Sequence, residues 1–149
     1  MASKMHDSLG RSPVHLLHRA GQCAEELFQA EVGEADLTAR QLAVLTTVAE
    51  NEGLSQTGIV ERTGIDRSTL ADIVRRLSKK GLLQRRRTKE DARAYAVKLT
   101  DEGEKLLRKV GPLAKKVDQR IMQAMGGGKD DLLDRLEDMI RKLQPSSTG

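Results

Sequence analysis

The stretch from Asp66 to Leu99, DRSTLADIVRRLSKKGLLQRRRTKEDARAYAVKL, constrains the fold most, because its hydrophobic period changes half-way along. In the first half Leu70, Ile73, Val74 and Leu77 recur at the three-to-four spacing of one buried helical face. Asp66 stands just before that pattern as an N-cap, and Gly81 closes it. Ser68, Asp72, Arg75 and Lys79 fall on the opposite side of the helical wheel. The second half reads as a hairpin with strands Leu82–Arg87 and Ala94–Leu99. Tyr95, Val97 and Leu99 alternate as on a half-buried strand, and a charged turn joins the two runs.

Charge is concentrated on this same unit. Of 26 Lys and Arg and 22 Asp and Glu in the chain, 11 basic and four acidic residues lie between Asp66 and Lys98. The rest, with 15 basic and 18 acidic residues, is slightly negative. A helix with an apolar back and a short polar, basic front suits a DNA major groove. Arg85, Arg86, Arg87 and Lys89 crowd one strand and the turn, a density that repels itself unless something anionic compensates. Asp91 and Arg93, two apart across the turn, are placed to pair and hold the loop so that its basic tip reaches a minor groove or a phosphate.

Upstream of the recognition-type helix the chain supplies the rest of a helix-turn-helix. Thr38 and Gln41 form a capping box for a helix carrying Leu42, Leu45, Val48 and Ala49, with Leu37 as a staple residue. That helix stops near Asn51–Gly53. Ser55 caps a short helix with Ile59 and Val60 inward, and Gly64 provides the tight turn before Asp66.

The flanks are long amphipathic helices. Residues 1–12 are expected to form a flexible arm, and Pro13 fits a first helical turn. Leu16, Leu17, Ala20, Ala24, Leu27, Phe28 and Val32 then make a stripe, followed by a loop over 33–36. Thr100 caps a helix with Asp101, Glu102 and Glu104 in its first turn, where they complement the helix dipole. It is expected to run to Met125, roughly 37 Å at 1.5 Å per residue, interrupted and kinked at Gly111–Pro112. The glycines at 126–128 break it, a last helix covers 129–143, and 144–149 is a polar tail. A helix-turn-helix core does not need all of these helices. Their apolar stripes predict a second copy of the chain, placing two recognition helices about 34–36 Å apart on a palindromic site.

Composition excludes several classes. With one Phe and one Tyr, the chain lacks the aromatic platforms that stack single-stranded bases. A single Cys forbids an internal disulfide. No stretch approaches the roughly 18 apolar residues of a membrane span, and no signal-peptide pattern opens the chain, so a cytoplasmic location is expected. Phosphate-binding loops, HExxH and GxSxG are absent, and no carboxylates are paired at cleft spacing. Enzymatic activity and cofactors are therefore not expected.

Three stretches carry a family resemblance: LTARQLAVL at Leu37–Leu45, DRSTLADIVRRLSKKGLLQR at Asp66–Arg85 and DARAYAVKLTDEG at Asp91–Gly103. Together they resemble the MarR family of winged helix-turn-helix regulators. The resemblance implies a mainly α fold, with an N-terminal dimerisation helix over 13–36, a winged helix-turn-helix over 37–100 and C-terminal dimerisation helices over 101–143. It also implies a homodimer that binds a pseudo-palindromic operator, usually as a repressor. The recognition helix would then lie in the major groove and Arg93 in or near the minor groove. A small phenolic or aromatic carboxylate would bind between the dimerisation helices and the DNA lobe and lower operator affinity. The chain departs from the family at Ala92, where another Arg is common, with Arg85 to Lys89 as the compensating charge.

Individual roles follow. Ser68, Thr69, Asp72 and Arg75 are assigned to the major groove, with Arg75 a candidate bidentate donor to guanine. Asp72 either orients Arg75 or Arg76 or accepts from cytosine. Arg67, Arg76, Lys79, Arg85, Arg86, Arg87 and Lys89 are assigned to phosphates, and Thr38 and Ser55 combine capping with phosphate contact. His15, His18, Arg19 and Arg40 are assigned to an anionic ligand pocket at the domain junction. The i,i+3 pair His15 and His18 lacks the further ligands of a metal site, so none is expected. Cys23 is a candidate redox thiol, although with so few aromatic neighbours available an inert thiol is the favoured reading. A winged-helix architectural protein without any effector is the alternative.

Overall fold

The computed structural model describes residues 8–87, 95–126 and 131–144. Six helices and a two-stranded antiparallel sheet follow one another as α1 (Pro13–Val32), α2 (Ala39–Glu50), α3 (Gln56–Thr63), α4 (Arg67–Lys79), β1 (Leu83–Arg87), β2 (Tyr95–Leu99), α5 (Asp101–Ala124) and α6 (Asp131–Leu143). The caps read from sequence are in place, and Ser12, which the sequence reading did not single out, caps α1 as well. Ser12, Thr38, Ser55, Asp66 and Thr100 each accept a hydrogen bond from the backbone N–H three residues on, and Thr38 and Gln41 complete the reciprocal box.

The core is almost wholly aliphatic and sits where α2, α3, α4 and the sheet converge. Val44, Leu45, Ile59, Leu70, Val74, Leu77 and Val97 are fully enclosed. From the flanks, Phe28 and Val32 of α1 and Val110 of α5 join the same cluster. Gly64 ends α3 in the left-handed region at φ 73°, which only glycine adopts at little cost, and turns the chain into α4. The strands pair from Leu83 with Leu99 to Arg87 with Tyr95. The chain before α3 adds a short third edge, because Val97 N–H donates to Leu54 O at 2.9 Å and Ser55 bridges Ala96.

The base of the hairpin is locked onto α5. Thr100 N–H donates to Leu82 O at 3.1 Å, and its hydroxyl donates to Gly81 O at 2.6 Å. Gly103 lies so close beneath that a Cβ there would come within 2.3 Å of Leu82 O.

Several expectations are corrected. Part of the arm expected over 1–12 is ordered, since Leu9–Arg11 forms a 3-10 turn that leads into the Ser12 cap. The loop expected over 33–36 is also a 3-10 turn, Gly33–Ala35, closed by Asp36 with a left-handed φ of 51°. Helix α5 runs through Gly111–Pro112 without the expected interruption. A proline removes one intrahelical bond, while Val110 and Val117 on either side are buried and hold the rod in register. Strand β1 starts at Leu83, and Leu82 is spent on the turn as a buried anchor. Tyr95, expected to share the inward face of its strand with Val97 and Leu99, is exposed. Lys89, Asp91, Ala92, Arg93 and the start of the second strand at Ala94 lie outside the described residues, as do 1–7, 127–130 and 145–149.

Candidate nucleic-acid interface

Helix α4 carries an exposed face organised by two carboxylates. Asp66, at the N-cap, accepts three hydrogen bonds: Thr69 N–H at 2.9 Å, Thr69 hydroxyl at 2.7 Å and Ser68 hydroxyl at 2.9 Å. Those bonds, led by the Thr69 amide, lower its carboxyl from 3.8 to about 2. The hydroxyl protons of Ser68 and Thr69 are thereby committed, and these side chains face a partner as acceptors. One turn on, Asp72 binds two arginines at once. Arg76 Nε donates to its Oδ2 at 2.9 Å, and Arg75 donates to its Oδ1. The hydrogen bond from Arg76, then the charges of Arg76 and Arg75, hold the Asp72 carboxyl below its ordinary range. Asp72 thus engages both Arg75 and Arg76 in the free chain.

The cations divide into three places. Arg67 reaches across the turn to Thr57 Oγ1 at 3.3 Å, tying α4 to α3. Arg76 and Lys79 meet Thr38 around a shallow groove of about 400 Å³ that Asp36, Gln41 and Lys80 complete. Arg85, Arg86 and Arg87 project from β1, all exposed. Arg87 is itself positioned, lying 5.7 Å from the centre of the Tyr95 ring and donating through Nε to the Tyr95 hydroxyl at 3.3 Å. Ser55 spends its hydroxyl on Gly58 N–H and is half-buried beside Ala96.

Sequence reasoning missed Lys80. Its ammonium donates to Asp36 O at 2.6 Å and pairs with Asp36 Oδ2 at 3.2 Å, linking the end of α4 to the segment joining α1 and α2. A partner 44 residues away leaves no periodicity to read. The unusual φ of Asp36 was equally invisible.

Comparison with known proteins agrees with this geometry. A sequence profile described as the MarR family matches residues 35–94, the span from the segment before α2 into the hairpin turn. The PcaV transcriptional regulator from Streptomyces coelicolor, solved with its natural ligand, is 34% identical with a TM-score of 0.79, over 91% of this chain and 93% of that one. The chain belongs to the MarR family. Two other solved structures are each 29% identical to this chain. BpsR from Bordetella bronchiseptica, whose DNA binding is regulated by 6-hydroxynicotinic acid, has a TM-score of 0.70 over 87% of this chain and 96% of its own. The transcriptional repressor CouR, bound to a 23-mer DNA duplex, has a TM-score of 0.80 over 91% and 96%. The protein is thus a winged-helix transcriptional regulator of a family of non-enzymatic proteins.

Besides the exposed face of α4, this MarR-family chain has an open groove of about 500 Å³ between α1 and α2. Val14, Leu17 and Gly21 form its apolar side, with His18, Gln22, Glu25 and Arg40 as polar groups. It brings together His18 and Arg40 of the expected ligand residues, while His15 and Arg19 do not line it. Cys23 is exposed on α1. Among the described residues no group of His, Cys, Asp or Glu is arranged to hold a metal, and no helix is long and apolar enough to cross a membrane.

Proposed function

We propose that this MarR-family regulator is a cytoplasmic homodimeric repressor of a pseudo-palindromic operator, released by a small anionic aromatic effector such as an aromatic acid or its CoA thioester. The observation that carries the reading is the α1–α2 groove, where His18 and Arg40 flank Val14 and Leu17 at the junction of the flanking helix with the DNA-binding unit. A guanidinium and an imidazole beside an apolar wall are hydrogen-bonding partners that suit an aromatic carboxylate. In a dimer the groove gains a further wall from the partner copy. A ligand seated there biases the angle between α1 and α2, and hence the spacing of the two α4 helices.

In the operator complex Arg75, Ser68 and Thr69 meet base edges. Arg67, Arg76, Lys79 and the arginines of β1 take phosphates, together with Lys89. Asp91 and Arg93 shape the wing tip. BpsR, with an aromatic acid as its regulator, and CouR, a repressor seen on DNA, support the reading by similarity.

The test is a thermal-shift screen of aromatic acids and their CoA thioesters, followed by anisotropy on operator DNA selected from random duplexes. At least one compound is expected to raise the melting temperature and release the operator, and Arg40→Ala to abolish both effects. Silence across the panel with intact operator binding would replace the sensor by a constitutive winged-helix binder.

A further inference from the structure

Beyond the Asp66 cap, Asp72 is the only acidic side chain between Arg67 and Lys79, the one negative charge within a helix whose exposed face carries Arg67, Arg75, Arg76 and Lys79. It caps no helix end, and among the described residues its ion pairs are confined to α4. Its partners are Arg75 and Arg76, three and four residues on, both well exposed. Side chains on a helix lean toward its N-terminus, so a carboxylate one turn upstream draws both guanidiniums back along α4. That is toward the end of a recognition helix that meets base edges, and away from the flanking phosphates.

Resting on the operator-binding reading above, we propose that Asp72 is a specificity-determining positioning residue. Its carboxylate occupies Arg75 and Arg76 in the free protein and denies them to the phosphates of random DNA. It yields them where operator contacts compensate. Binding to arbitrary sequence is almost wholly electrostatic, so a fixed negative charge and two engaged arginines weaken it most. Operator binding also draws on base contacts and loses less. The discrimination ratio is therefore set in part by a residue of the wrong sign for DNA.

The experiment measures anisotropy on a selected operator and on a scrambled duplex of equal length across a salt series. It compares wild type, Asp72→Asn, Asp72→Glu and the charge-only control Glu61→Gln on neighbouring α3. Asp72→Asn is expected to bind the scrambled duplex about tenfold tighter near 0.1 M salt, with a salt slope steeper by about one, as one further phosphate contact requires. Its operator-to-scrambled ratio falls accordingly. Asp72→Glu, which keeps the charge within reach of both arginines, restores the wild-type ratio, and Glu61→Gln leaves it unchanged. Wild-type slope and scrambled-duplex affinity in Asp72→Asn would overturn the proposal, as would an equal effect from Glu61→Gln. Failure of the wild type to prefer any selected duplex is a separate result, visible before any variant is made. It overturns the operator-binding reading and this proposal together.

Discussion

At the scale of single residues, the carboxylates on α4 do different work although they lie only six positions apart. Asp66 is a structural cap whose three donors suit only its ionised form. Its folded carboxyl titrates near 2 against 3.8 unperturbed. Because the folded value is the lower one, the cap contributes fully above about pH 4, and that contribution drains away as pH falls toward 2. Thermal melts between pH 2 and 6 are therefore expected to show an acid-dependent loss in wild type. In Asp66→Asn the loss is shallower, since the amide caps without ionising. Asp66→Ala is expected to melt lower than both at neutral pH. Asp72, by contrast, orders side chains and leaves the backbone alone, so its removal is expected to change binding more than melting.

At the scale of elements, the two-stranded wing is short and depends on its neighbours. Isolated hairpins are marginal in water. This one is held by the Leu54–Val97 bond, by the Thr100 and Gly81 contacts, and by burial of Leu83 and Val97. In its outer described part Arg85, Arg86 and Arg87 are all exposed, and Arg87 is held by the Tyr95 ring and hydroxyl. Arg86 opens onto a groove with Lys98, Ala96 and Glu52, exposed and placed as a point charge. Arg86→Ala is expected to weaken binding to all duplexes alike and to reduce the salt slope by about one unit. An unchanged slope with lost sequence preference would instead assign Arg86 to base readout.

At the scale of the whole molecule, the flanking helices carry more apolar surface than the described residues cover. On α1, Val14, Leu16 and Leu17 are 68%, 45% and 44% exposed, and on α6 no residue is buried. Ile140 and Leu143 are 47% and 74% exposed. Such faces at both ends of one polypeptide suit a two-fold partner that covers both at once. Leu16→Glu with Ile140→Glu is expected to give a monomer by sedimentation while the winged helix stays folded, because neither residue belongs to its core. Operator affinity is then expected to fall by about two orders of magnitude, the avidity of a second attached half-site.

Local chemistry was enough to read the caps, the glycine turn, the stripe of α4 and the concentration of positive charge. Each of these depends on residues within one helical turn or one strand period of each other. The same nearness made the three matching stretches recognisable as a MarR-type winged helix. What local pattern cannot carry is any pairing across the chain. The Lys80–Asp36 link, the Arg67–Thr57 tether and the meeting of His18 with Arg40 join residues distant in sequence. The uninterrupted α5 belongs with these, because its continuity at Pro112 comes from packing of Val110 and Val117 and runs against the local preference of proline. Periodicity and capping are short-range, so sequence alone determined which elements form. Burial and charge pairing are long-range, so only the tertiary structure decided which side chains those elements bring together.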